Sequence, residues 1–280
     1  MDDAQPLGRR SHPRLTILAL LLAPLSLGPS APCLSAEAAP SPERWTFRLT
    51  ASLMAADHSG TTETVRGRTV GGNIIFVTRD YSDLYPGHQP LYLVDLAANH
   101  GRWGVSVRGQ FFDWGNEVLL ENRTLVAETM RFAEADVSHS VGEHWRFLIG
   151  FRYVEIEHTE QILHDYWPPD WPVDISRWGQ TWLDLVVGAS FRYALAARWE
   201  LSGRGDFGVL GVGSDLTWNL EAAVQWRIAQ HVALVGGYRA YDVYFAEKNT
   251  YSFPIADPLT VTETYDTHTS GPTLGLTFHW

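Results

Sequence analysis

The residues best suited to nucleophilic chemistry are His268 and Ser270, in the phrase His268-Thr-Ser270. Asp57-His58 and His164-Asp165 each set a carboxylate beside an imidazole in an expected loop, where solvated loop residues are the alternative. His158, His164 and a nearby carboxylate have metal-ligand chemistry, but their spacing fixes no geometry, and no metal or cofactor site is expected. The segment from Glu157 to Arg177 also carries Tyr166, Trp167 and Trp171 among prolines; these rigid aromatics suit either a sugar or protein contact or packing of the loop over its own fold.

Composition narrows the setting. Cys33 is the only cysteine, so neither a disulfide framework nor thiol catalysis is available downstream of it. A formal net charge of −11 leaves no basic stripe to neutralise phosphates and excludes a nucleic-acid partner. Residues 1–38 read as a secretory signal peptide: Arg9, Arg10 and Arg14 precede an apolar run from Leu15 to Leu27, and Ala36-Glu37-Ala38 supplies a small-x-small cleavage pattern. The run is shorter than the roughly 20 residues of a membrane-spanning helix and is interrupted by Pro24. Residues 39–280 form the second unit, and a mean hydropathy of −0.14 is what a chain shows when only alternate residues face lipid.

Period-two alternation dominates that unit. Trp45, Phe47, Leu49, Ala51 and Leu53 alternate with Thr46, Arg48, Thr50 and Ser52; from Asp215 to Ile228 apolar and polar positions again exchange at every step. A helix would scatter those charges around its circumference. Short connections (Asn99 to Arg102, His139 to His144, Ala194 to Arg198, Ala229 to His231) alternate with longer ones (Asp57 to Gln89, Asp113 to Thr124, Glu157 to Arg177, Phe207 to Gly213, Ala246 to Thr262). The pattern predicts an all-β fold, an antiparallel up-and-down transmembrane β-barrel with short turns at one end and long loops at the other. Ten strands are expected; a hairpin within Thr61 to Arg79 would give twelve, and loss of Leu91 to Ala97 from the wall would give eight. In Trp145 to Glu157 and again in Val232 to Tyr244 the phase slips after Tyr153 or Ala240, which predicts either a bulge or emergence from the bilayer.

The chain ends with Leu274, Leu276, Phe278 and Trp280 on one side of its last strand. This ending resembles the assembly signal of Gram-negative outer-membrane barrels. From about Leu91 the phrases Gly101-Arg-Trp-Gly104, Gly150-Phe-Arg-Tyr153, Arg204-Gly-Asp-Phe-Gly208, Gly236-Gly-Tyr-Arg239 and Gly271-Pro-Thr-Leu-Gly275 are similar to those of a family of uncharacterised proteobacterial outer-membrane β-barrels. The pattern departs at Val209-Leu210 and Ala240. What the resemblance implies is an outer-membrane location, outer-membrane lipid and lipopolysaccharide as surroundings, and the barrel assembly machinery as partner of the last strand; it brings no activity. The strand count is also similar to that of the omptin proteases, whose site uses Asp and His at the extracellular rim, and His268-Thr-Ser270 resembles part of the His/Ser/Glu arrangement of lipid A deacylases, which implies a His that takes the proton of a Ser nucleophile; here no Glu follows Ser270 to orient the imidazole.

Barrel parity assigns the remaining charged residues. Arg48, Arg108, Arg146, Arg152, Arg192, Arg204, Arg227 and Arg239 point inward, as do Asp95, Glu134, Asp136, Asp184, Glu200, Asp206, Asp215 and Glu221. The same parity puts both charges of Arg204-Gly-Asp206 inside, where an adhesion tripeptide is out of reach. Trp45, Trp103, Trp145, Trp199, Trp226 and Trp280 all fall at the short-turn end, as an interfacial girdle requires. Equal numbers of lumen cations and anions predict a charge-paired, largely plugged interior and a structural or surface-interaction role. A narrow diffusion channel is the alternative, and a rim-sited hydrolase the third reading.

Overall fold

The computed structural model describes residues 44–66, 75–80, 88–119, 124–162, 174–209, 214–253 and 256–280. The expected signal peptide lies outside them. Eleven strands run in chain order: β1 (Trp45–Arg66), β2 (Ile75–Asp80), β3 (Gln89–His100), β4 (Trp103–Leu119), β5 (Thr124–Val141), β6 (Trp145–Ile162), β7 (Asp174–Ala196), β8 (Trp199–Val209), β9 (Leu216–Ala229), β10 (Val232–Phe253) and β11 (Ala256–His279). Each wall strand pairs antiparallel with the next, and β11 pairs with β1, Leu53 opposite Leu274 and Arg48 opposite His279, so the sheet closes. Closure leaves no open edge in the wall.

β2 is not a wall strand. Among the described residues it pairs only with the far end of β1, Thr61 to Arg66, beyond the point where β3 takes over at Ala56–Gln89. The wall therefore has ten strands, with β3 among them and the additional hairpin standing above it. Four tight turns, at Gly101-Arg102, Gly142 to His144, Ala197-Arg198 and Gln230-His231, gather at one end. Gly101 (φ 58°) and Gly142 (φ 68°) take the left-handed conformation that two of these turns require.

The connections at the other end differ from the expected loops. β1 continues past Asp57 to Arg66, β6 past Glu157 to Ile162, and β10 and β11 extend to Phe253 and from Ala256. Lipid is not needed to keep strands paired: Thr, Val and Tyr in these extensions favour the pleated conformation, and ladder bonds continue wherever the partner strand continues.

Polarity inverts along β6. On β6 the outward residues Trp145, Phe147, Ile149, Phe151 and Tyr153 are all at least 40% exposed. Nine residues of tilted strand is about what a hydrocarbon layer requires. Past Tyr153 the outward positions become Glu155 and Glu157, which pair with Arg131 at 3.2 and 3.8 Å, while the inward positions become Val154 and Ile156, both buried. Pairing of β6 with β5 and β7 is continuous through this point, and β10 is likewise continuous through Ala240. Neither phase change coincides with a bulge; at Tyr153 the strand leaves the apolar belt and exchanges which face is apolar.

Candidate functional site

The interior is built in layers. Nearest the extensions, Met54, Leu91, Phe112, Met130, Phe132, Val154, Ile156, Trp182, Tyr241, Val243 and Tyr265 form one apolar cluster inside the wall. Trp182 stacks on Phe245 at 5.3 Å, and Phe132 meets Tyr241 edge-on at 5.5 Å. Tyr265 Oη donates to Glu128 at 3.3 Å, beyond the level of the belt. Burial, with Glu128 beside it, holds that phenol well above its ordinary value and so keeps it a donor.

Below this cluster lies a charged layer set by register. Asp95, Arg108, Glu134, Arg152 and Asp184 stand directly opposite one another on β3 to β7, alternating in sign. Arg152 Nε and Nη2 donate to Glu134 Oε2 at 2.9 and 2.7 Å, Nη1 donates to Thr217 Oγ1 at 3.1 Å, and Nη2 also reaches Asp206. Arg204 donates to Asp206 (2.7 Å), Asp136 (2.9 Å) and Glu134. Asn219 bridges Asp206 to Arg239 at 3.0 and 2.7 Å. The Arg152 guanidinium also lies 5.1 Å from the Phe132 ring centre and 5.5 Å from that of Tyr241, joining the two layers.

Asp184 is held separately. Ser214 donates to it from its backbone N (2.9 Å) and from Oγ, and Thr217 Oγ1 donates at 3.3 Å. Gly208 makes this approach feasible, since a Cβ there would stand 2.0 Å from Thr217 Oγ1 and 3.2 Å from the Asp184 carboxylate. The glycine-rich segment that leads into Ser214 includes residues 210–213, which lie outside the described residues.

Toward the short-turn end the interior opens into a cavity of about 100 Å³. Its lining includes Arg48, Asp95, Asn99, Arg108, Arg146, Arg192 and Glu221. Arg108 pairs with Asp95 (2.6 Å) and Glu221 (3.4 Å), Arg48 with Asp95 (3.4 Å), and Arg192 approaches Glu200 at 4.0 Å. Arg227 is exposed near the β9–β10 turn, and Asp215 is exposed just before β9. The six tryptophans Trp45, Trp103, Trp145, Trp199, Trp226 and Trp280 are exposed outward at this same end, Trp199 stacked on Trp226 at 5.8 Å.

The residues suggestive of hydrolysis are distributed over two faces of the wall. Asp57 is exposed outward, whereas His58 is buried inside with its Nδ1 2.7 Å from Thr269 Oγ1, so the two do not form a pair. His268 points outward with Nδ1 3.5 Å from Asp242 Oδ2, and Ser270 Oγ accepts from Tyr238 Oη at 3.2 Å. Asp242 supplies a carboxylate that sequence proximity hides, because β10 and β11 place it opposite His268. His164 and Asp165 fall outside the described residues. Sequence reasoning also missed the apolar layer; its signal was present as the phase change after Tyr153 and Ala240.

No family model matches the chain, and no curated protein matches it. Among solved structures, the outer membrane protease OmpT from Escherichia coli is similar over 84% of this chain and 97% of its own, with a TM-score of 0.54 at 10% identity. Ail, the attachment invasion locus protein of Yersinia pestis, aligns over 83% of this chain and 98% of its own at 8% identity and TM-score 0.31. Neisserial surface protein A aligns over 84% and 99% at 10% identity and TM-score 0.31. At 10% identity the likeness to OmpT shows the barrel fold alone.

Proposed function

We propose that this chain is an integral outer-membrane barrel whose interior is closed to solutes and whose role is structural or surface-directed, exercised through the strand extensions beyond the belt. The observation that carries the reading is the two-layered interior, in which Arg152 and Val154 are each 0% exposed on adjacent inward positions of β6. A charged layer alone would admit water; an apolar cluster above it removes the wetted path. Ten strands lie close to the eight at which side chains fill a barrel. The outward apolar belt and the tryptophans at its edge support a lipid setting.

Conductance of the purified protein in a planar bilayer tests this. Silence at moderate voltage is expected. Discrete steady steps would instead support a narrow diffusion channel, the second reading, which the cavity at the short-turn end favours. A protease role by analogy with OmpT has no support from Asp57 and His58, which face opposite sides of the wall.

A further inference from the structure

The arginines that line the cavity at the short-turn end are unequally satisfied. Its lining contains five arginines and three carboxylates. Arg204 and Arg108 are each held by two or more acids. Arg48 has only a share of Asp95, which lies 3.4 Å from it but 2.6 Å from Arg108, and the buried Nε of Arg48 has no hydrogen-bond partner among the described residues. Arg146 has no carboxylate within ion-pair distance among the described residues; its guanidinium rests on the Asn99 side-chain oxygen, a neutral acceptor.

A half-buried guanidinium without an anion is costly, since burial removes hydration that no fixed charge replaces. Asn99 does not supply that charge. Gly104 nevertheless keeps this corner open: a Cβ there would meet Asn99 Oδ1 at 2.7 Å and the Arg146 guanidinium at 3.4 Å. Exposure rises from Arg204 (6%) through Arg48 (15%) to Arg192 (35%), so the cavity communicates with solvent at the short-turn end. About 100 Å³ has room for several waters or for one tetrahedral anion displacing them.

We propose that this cavity is a binding site for a single phosphate-type oxyanion, held by Arg146 and Arg48 with Arg192 at the entrance. The forked guanidinium donors match oxyanion geometry, and a bound oxyanion would supply Arg146 with the negative charge that Asn99 does not, and Arg48 with more than its share of Asp95. The anion could arrive as free phosphate or as the phosphate of a lipid headgroup; the binding chemistry is shared. The proposal is independent of whether the barrel conducts, because the cavity lies on one side of the charged layer.

The test is calorimetric titration of the protein purified from membranes in a zwitterionic detergent without phosphate, at constant ionic strength in chloride. Two probes are used, inorganic phosphate and the phosphodiester glycerophosphoglycerol. Saturable one-to-one binding of either is expected, at least tenfold weaker in Arg146→Gln and in Arg48→Gln and unchanged in Arg131→Gln, which alters an exterior ion pair beyond the belt. Binding of inorganic phosphate points to the free anion, and binding of the diester alone points to a headgroup. Absence of saturable heat with both probes in the wild type, or equal binding by wild type and Arg146→Gln, overturns the proposal. If Arg146→Gln does not fold, Arg48→Gln and Arg192→Gln carry the comparison, and the wild-type titration stands by itself.

Discussion

Arg152 and Glu134 face one another directly across the β5–β6 ladder, and the guanidinium donates two hydrogen bonds, 2.9 and 2.7 Å, to one carboxylate oxygen. Both side chains are essentially inaccessible to solvent. Neither could be left in that position alone, and the layer around them exists to avoid it.

Removal of one member should therefore be expensive. Arg152→Met leaves Glu134 and Asp206 with Arg204 as their remaining shared cation and is expected to cost about 3–5 kcal/mol. The double variant Arg152→Met/Glu134→Gln should recover part of that loss. Urea unfolding midpoints in detergent, arranged as a double-mutant cycle, give the coupling; simple additivity would show that the pair is energetically idle.

The outward belt makes a prediction that depends on height. Ile149 lies midway along the exposed apolar positions of β6, and Ile149→Arg should cost about 2–4 kcal/mol in vesicles, the usual penalty at a bilayer midplane. Thr181 is exposed on β7 two residues beyond Leu183, past the belt, so Thr181→Arg should cost no more than about 1 kcal/mol. Equal penalties at both positions would contradict a lipid-facing belt.

Gly208→Ala crowds the clamp on Asp184. The added methyl displaces Thr217, which accepts from Arg152, so the disturbance reaches the charged layer. Overpacking of this kind costs about 1–3 kcal/mol. A lower temperature for the heat-dependent shift in gel mobility is the expected readout; an unchanged temperature would mean that Thr217 rotates away freely.

Trp182→Ala tests the apolar layer. Loss of its stacking on Phe245 and of its buried surface should cost about 3–5 kcal/mol. The outward charges are a control: Glu155→Gln weakens only an exposed pair with Arg131 and should change stability by under about 1 kcal/mol. Comparable losses from the two changes would argue against a packed interior beyond the belt.

Much of this architecture was written locally in the chain. Alternation in Trp45 to Leu53, short turns around Gly101 and Gly142, and tryptophans at strand starts needed no knowledge of partners, because strand period and turn conformation are set by neighbouring residues. Inward parity for Arg152 and Asp206 followed from the same alternation. The phase change after Tyr153 was visible too, but its meaning was ambiguous: a bulge and an exchange of apolar face produce the same string of residues, and only the unbroken β5–β6 and β6–β7 ladders separate them.

Tertiary structure decided which inward groups meet. The alternating row from Asp95 to Asp184 depends on four successive registers, Asp242 reaches His268 only through the β10–β11 pairing, and Arg48 shares an acid with Arg108 because β1, β3 and β4 are adjacent. A sequence specifies the face each side chain takes on its own strand. Which charge lies opposite it, and which is left with a neutral amide as Arg146 is with Asn99, is fixed by ring closure, a property of all ten strands together.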